Sequence, residues 1–129
     1  MSTIFTKIIN GDIPSYKVAE NDSFLAFLDI QPITKGHVLV IPKKEIDNIF
    51  DVDDQLLSDF MVFTKSVAKK MDKVFDCKKI GMTVIGLEVA HAHIHLMPIN
   101  GIADMDFSKS KLSLSNDEME GIANMIQEA

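Results

Sequence analysis

The chain has 129 residues, 47% of them hydrophobic and 25% charged, enough for one domain with a proper core and too few for two ordinary ones. A formal net charge of −6 repels polyphosphate backbones, so broad nucleic-acid binding is disfavoured, while a small phosphorylated ligand held by local donors remains allowed. No apolar run approaches the ~20 residues of a membrane span, and no basic region leads into a long apolar stretch near Met1, so neither a membrane segment nor a signal peptide is expected.

Ile4, Phe5, Ile8 and Ile9 are apolar at helical spacing, and Asn10-Gly11 stops that short helix. Tyr16 to Glu20 and Phe24 to Leu28 read as strands joined in a hairpin at Asn21-Asp22. Gly36 to Pro42 has the β-branched density of a buried strand. A long helix is predicted from about Val52 to Phe75, with one stripe formed by Leu56, Leu57, Phe60, Phe63, Val67, Met71, Val74 and Phe75. Asp51, Asp53 and Asp54 sit at its positive end and Lys69, Lys70 and Lys73 at its negative end, as the helix dipole prefers. Cys77 is the one cysteine, so no internal disulfide can form, and it reads as an inert buried thiol in a reducing compartment. Ile80 to Ile85 and Val89 to Pro98 are two further strands. Ser115-Asn116-Asp117-Glu118 is a capping-box pattern that opens a last helix through Met119, Ile122 and Ile126. The eight methionines read as core filler on these stripes. This order indicates an α+β fold with a mainly antiparallel sheet in a single domain, 1–129.

The chemistry concentrates in His91-Ala92-His93-Ile94-His95-Leu96-Met97. Three of the four histidines fall within five positions. On a β-strand alternate side chains share a face, so the three imidazoles would line one side and Ala92, Ile94 and Leu96 the other. Three readings stay open from the residues alone. A metal site could draw two ligands from His-x-His and a third from His95 or His37. A histidine nucleophile could attack phosphorus while its neighbours bind the phosphoryl oxygens, for His93 has an imidazole ~7 Å away on either side along a strand. The row could also be a histidine-rich sheet surface.

That row resembles the His-φ-His-φ-His-φ-φ signature of the histidine triad (HIT) family, where φ is apolar, in its Hint-like nucleotide hydrolase branch. Ile4 to Pro14, Leu25 to Pro32 and Gly36 to Lys43 are similar to the family's preceding blocks, in the right order. The resemblance implies a five-stranded, mainly antiparallel sheet with one long helix and short terminal helices. It implies that His93 is the nucleophile of a covalent nucleotidyl-histidine intermediate, that His95 and His37 hydrogen-bond the α-phosphate, and that His91 orients the site. Asp29 would accept bonds from ribose hydroxyls, with the start of a turn as the lesser alternative. Phe5, Ile8, Ile13, Phe27, Ile30 and Leu39 match positions that line the family's purine pocket. Transferase branches carry Gln where this chain has His95, so hydrolysis is favoured over transfer.

Two departures stand out. Many bacterial relatives bind a structural zinc through cysteines at the positions of Thr3 and Thr6, so no metal is expected here. Ahead of the triad, Leu87 and Glu88 replace a Gln-Ser/Thr pair. Strict alternation from His91 would put Glu88 on the face opposite the imidazoles, unless a bend at Gly86 resets the register. The resemblance thus implies a cytoplasmic homodimeric hydrolase of purine nucleotides with an AMP-type product and no cofactor. Hydrolysis of diadenosine polyphosphates, a low-activity nucleotide-binding adaptor and a zinc hydrolase are the alternatives.

Overall fold

The side chain of Asn21 accepts hydrogen bonds from the backbone N–H groups of Ser23 (2.9 Å) and Phe24 (2.8 Å). This closes the hairpin between β1 (Lys17–Glu20) and β2 (Phe24–Leu28) in the computed structural model, which describes residues 3–129. With β3 (Val38–Pro42), β4 (Lys79–Thr83) and β5 (Ile94–Ile99) these strands form one antiparallel sheet in the order β1-β2-β3-β5-β4. Every residue of β2 and β3 is buried, so their near-continuous apolar runs mark strands covered on both faces.

One face carries Phe24, Ala26, Leu28, Val38, Val40, Ile94 and Leu96. It packs on α2 (Asp54–Val74) through Phe60, Val67 and Met71, and on α3 (Asn116–Glu128) through Met119, Ile122, Ala123 and Ile126. Each of the larger side chains contributes roughly 1.5–3 kcal/mol by leaving water. Asp53 caps α2 by accepting from Leu56 N–H at 2.8 Å, and Ser115 with Glu118 forms the expected capping box on α3. The opposite face carries Leu25, Phe27, Leu39 and Ile41 and is covered by the short α1 (Ile4–Ile9) through Phe5 and Ile8. No helix among the described residues is long and apolar enough to cross a membrane.

The structure shortens both strands around the triad. β4 ends at Thr83 instead of Ile85, and β5 begins at Ile94 instead of Val89. Gly86 has φ +80°, a left-handed conformation that ends the extended run. His91 N–H then turns back to Val89 C=O at 2.8 Å. Only His95 of the row lies in the ladder; His91 and His93 precede it. The methionine expectation holds for Met71, Met97 and Met119, whereas Met61, Met82 and Met125 are exposed. Cys77, in the turn between α2 and β4, is partly buried rather than enclosed.

Candidate active site

Register places the site. Phe27 pairs with Leu39, and Leu39 with His95, so these three side chains share the face that α1 covers. Ile94 and Leu96 point to the helix side, as alternation requires. His91 and His93 reach the α1 side from the loop, with their rings 5.8 and 5.0 Å from that of Phe5. His93 and His95 are 4.9 Å apart. All four histidines are buried, which only hydrogen-bonded imidazoles tolerate.

The hydrogen bonds fix each tautomer. Ile33 N–H donates to His37 Nδ1 at 3.2 Å, so His37 carries its proton on Nε2 and donates it to His95 Nδ1 at 2.9 Å. His95 must therefore hold its own proton on Nε2. His93 Nδ1–H donates to the backbone carbonyl of His91 at 2.7 Å, which in this tautomer puts the lone pair on Nε2. His91 Nε2–H donates to Pro42 C=O at 2.7 Å, and its Nδ1 accepts from Thr3 Oγ1 at 3.3 Å. Neither His93 Nε2 nor His95 Nε2 has a protein partner among the described residues. Burial holds His37 down to about 4 and His95 down to about 3, so both are neutral near pH 7, and it lowers His91 as well.

Both free nitrogens belong to rings that line a cleft of about 330 Å³. Phe5, Ile8, Ile13, Phe27 and Leu39 supply its apolar wall, and Ile30, 68% exposed, forms its lip. Asp29 stands at the edge. Its Oδ1 accepts from Gln31 N–H at 2.9 Å, so it does start a turn, while Oδ2 lies 3.8 Å from His37 Nε2. Burial raises the Asp29 carboxyl above its ordinary value.

Two expectations need correction. His37 was expected to meet the phosphate, but both its ring nitrogens are engaged and it sits behind His95. Its Nε2–H hydrogen bond holds the His95 ring from behind. Glu88 was expected on the opposite face, yet it lines the cleft with His93 and His95, because the Gly86 bend resets the register.

Thr3, Thr6 and Glu45 form a hydrogen-bonded cluster against His91. Glu45 Oε1 accepts from Thr3 N–H and from the Thr6 hydroxyl, which hold its carboxyl below the ordinary value. Asp29, His37 and His95 have donor atoms within 4.8 Å of one another and could in principle hold a cation. A cation there would have to replace the proton shared by His37 and His95, which is already well placed. Sequence reasoning missed Glu45, Phe107 and Lys111. The Phe107 ring packs edge-on against His95 at 4.8 Å, and a loop residue of this kind carries no periodic signal.

The comparisons agree with this geometry. The family described as HIT domain matches residues 10–101. Protein hit of Bacillus subtilis is 41% identical over 108 residues, covering 78% of this chain and 73% of that protein. Adenosine 5'-monophosphoramidase HNT1 of Saccharomyces cerevisiae is 41% identical over 96 residues, covering 74% of this chain and 61% of that protein. The crystal structure of a Hit-like protein from Bartonella henselae superimposes with a TM-score of 0.85 at 30% identity, covering 98% of this chain and 95% of the other. With the family match spanning most of its length and its histidines built into one cleft, this chain belongs to the HIT family.

Proposed function

We propose that this chain is a nucleotide hydrolase of the phosphoramidase type, a single domain over residues 1–129 that cleaves the bond between the α-phosphate of a purine nucleotide and an amine leaving group. The observation that carries the reading is the pair of free nitrogens beside one another: a lone pair on His93 Nε2 and a proton on His95 Nε2. The yeast relatives named adenosine 5'-monophosphoramidase support the choice of bond.

In the first step His93 Nε2 attacks the α-phosphorus. A P–N bond to His93 forms, the bond to the leaving group breaks, and the amine departs with a proton taken from solvent water. His95 Nε2–H donates a hydrogen bond to a non-bridging oxygen, where charge builds in the transition state, and keeps its proton. In the second step water attacks phosphorus and releases one proton to solvent, the P–His93 bond breaks, and the nucleoside monophosphate leaves with neutral His93 restored. Asp29 Oδ2 accepts from the ribose hydroxyls, and Phe5, Ile8, Ile13, Phe27, Ile30 and Leu39 enclose the base. His37 and His91 position the two reacting imidazoles.

The molecule is further proposed to act as a homodimer in the cytoplasm. β4 is an edge strand, and it continues into exposed Val84, Ile85 and Leu87 beside exposed Phe50. An apolar edge of this kind is covered in a stable protein, and a second copy is the occupant that the family resemblance implies. A lone cysteine suits a reducing compartment.

The deciding experiment is a substrate panel. An adenosine phosphoramidate and a diadenosine polyphosphate are each incubated with the protein, with and without EDTA, and AMP is followed. AMP from the phosphoramidate, unaffected by chelator, is the expected result. Preferential cleavage of the polyphosphate would move the bond to a phosphoanhydride. Chelator-sensitive turnover would replace the reading with a metal hydrolase, and binding without turnover would leave an adaptor.

A further inference from the structure

The charges around the cleft do not balance for an anionic ligand. Asp29 and Glu88 both border it, while His37 and His95 are neutral. A nucleotide brings further negative charge to this place. After burial, which dominates at Asp29, His37 and His95, the Lys111 ammonium is a positive charge that lowers all three groups.

The chain holds Lys111 there by contacts, not by chance of a surface loop. Leu112 N–H donates to Pro32 C=O at 2.8 Å, which ties this segment to the turn that begins at Asp29. Five residues earlier in that segment, Phe107 packs edge-on against His95 at 4.8 Å and against His37 at 6.1 Å. The Lys111 ammonium lies 6.0 Å above the centre of the Phe107 ring. It is thus parked on an aromatic ring that itself packs against His95, one of the two imidazoles facing the cleft. A lysine on a flexible four-carbon stem can leave such a weak contact and follow a phosphate.

We propose that Lys111 is a substrate-binding residue whose ammonium moves from the Phe107 ring to a phosphate oxygen of the nucleotide held at His95. It selects phosphorylated nucleosides over bare ones and offsets Asp29 and Glu88. The assignment rests on the cleft being a nucleotide site, and the test separates the two.

Binding of AMP and of adenosine is measured by titration calorimetry to wild type, Lys111→Met and Lys111→Arg, at two salt concentrations. At the lower one, Lys111→Met should weaken AMP about 5-fold and leave adenosine unchanged, as expected of one partly exposed charge pair. Lys111→Arg should stay within about 2-fold of wild type, and added salt should weaken AMP more in wild type than in Lys111→Met. Equal losses for AMP and adenosine would make the role structural and overturn the proposal. Unchanged AMP binding in Lys111→Met would overturn it alone, whereas failure of wild type to bind AMP would overturn the nucleotide reading and this one with it.

Discussion

The two faces of the sheet bury side chains for different reasons. On the helix side, Phe24, Leu28, Val40, Ile94 and Leu96 meet Phe60, Val67, Met71 and Ile126, and the only demand is shape. On the α1 side, four imidazoles are buried among Phe5, Phe27 and Leu39, where each needs a hydrogen-bond partner as well as a place. The first face makes the domain stable. The second uses that stability to hold neutral histidines in chosen tautomers. Near neutral pH, a residue on one face should therefore be nearly silent in the measurement that its counterpart dominates.

The sharpest contrast is between Phe60 and His93. Phe60→Ala should cost about 3–5 kcal/mol of stability through the cavity it leaves, with the turnover of the folded fraction unchanged. His93→Ala should lower turnover by at least ~10³-fold, with a urea midpoint close to wild type. Urea melts and turnover on the same samples check both. Near-normal turnover in His93→Ala would remove the nucleophile.

A smaller effect is expected in acid. The unfolded chain protonates His37 and His95 near the ordinary value of 6.5, whereas the folded protein does so only near 4 and 3. The unfolded state then binds more protons throughout that window, so stability is full above pH 6.5 and falls as pH drops. At pH 5 the loss is on the order of 2 kcal/mol per imidazole. Chemical denaturation between pH 7.5 and 5 measures it, and His37→Gln should give a shallower fall. Equal slopes in both proteins would show that His37 is already charged when folded.

The smallest effect should come from Glu88. Removing its charge in Glu88→Gln should tighten AMP by no more than ~3-fold, under about 0.7 kcal/mol, opposite in sign to loss of Lys111. A pH–rate profile that loses its acid limb in this variant would instead give Glu88 a part in proton transfer.

The helix face was almost fully legible in the sequence. The stripe from Leu56 to Phe75, the capping box at Ser115 and the runs of β2 and β3 each carry a periodic or capping signal that local physics enforces, whereas Asp53 reads only as a charge favoured by the helix dipole. The site face was legible in residue type and less so in geometry. His91-x-His93-x-His95 announces itself, but β5 starts at Ile94 because Gly86 breaks the extended run, and this also turned Glu88 into the cleft. His37 looks like a phosphate ligand until Ile33 N–H is seen to occupy its second nitrogen. Phe107 and Lys111 lie on an irregular segment, where contacts are set by the fold and nothing in the residue spacing reports them.

Gly36 joins the two faces. It has φ +90°, and a Cβ built there would lie 2.4 Å from the Phe75 ring, at the end of α2. Its neighbour His37 is the inner half of the imidazole pair. The end of the long helix is therefore set against the backbone that carries the His37–His95 hydrogen bond on the far side of the sheet. Substitution at position 36 would push the helix end and this imidazole pair apart, and trimming Phe75 would restore the space but not the left-handed backbone. Positions 36 and 75 thus form one mechanical unit, across which a change in packing reaches the imidazole pair.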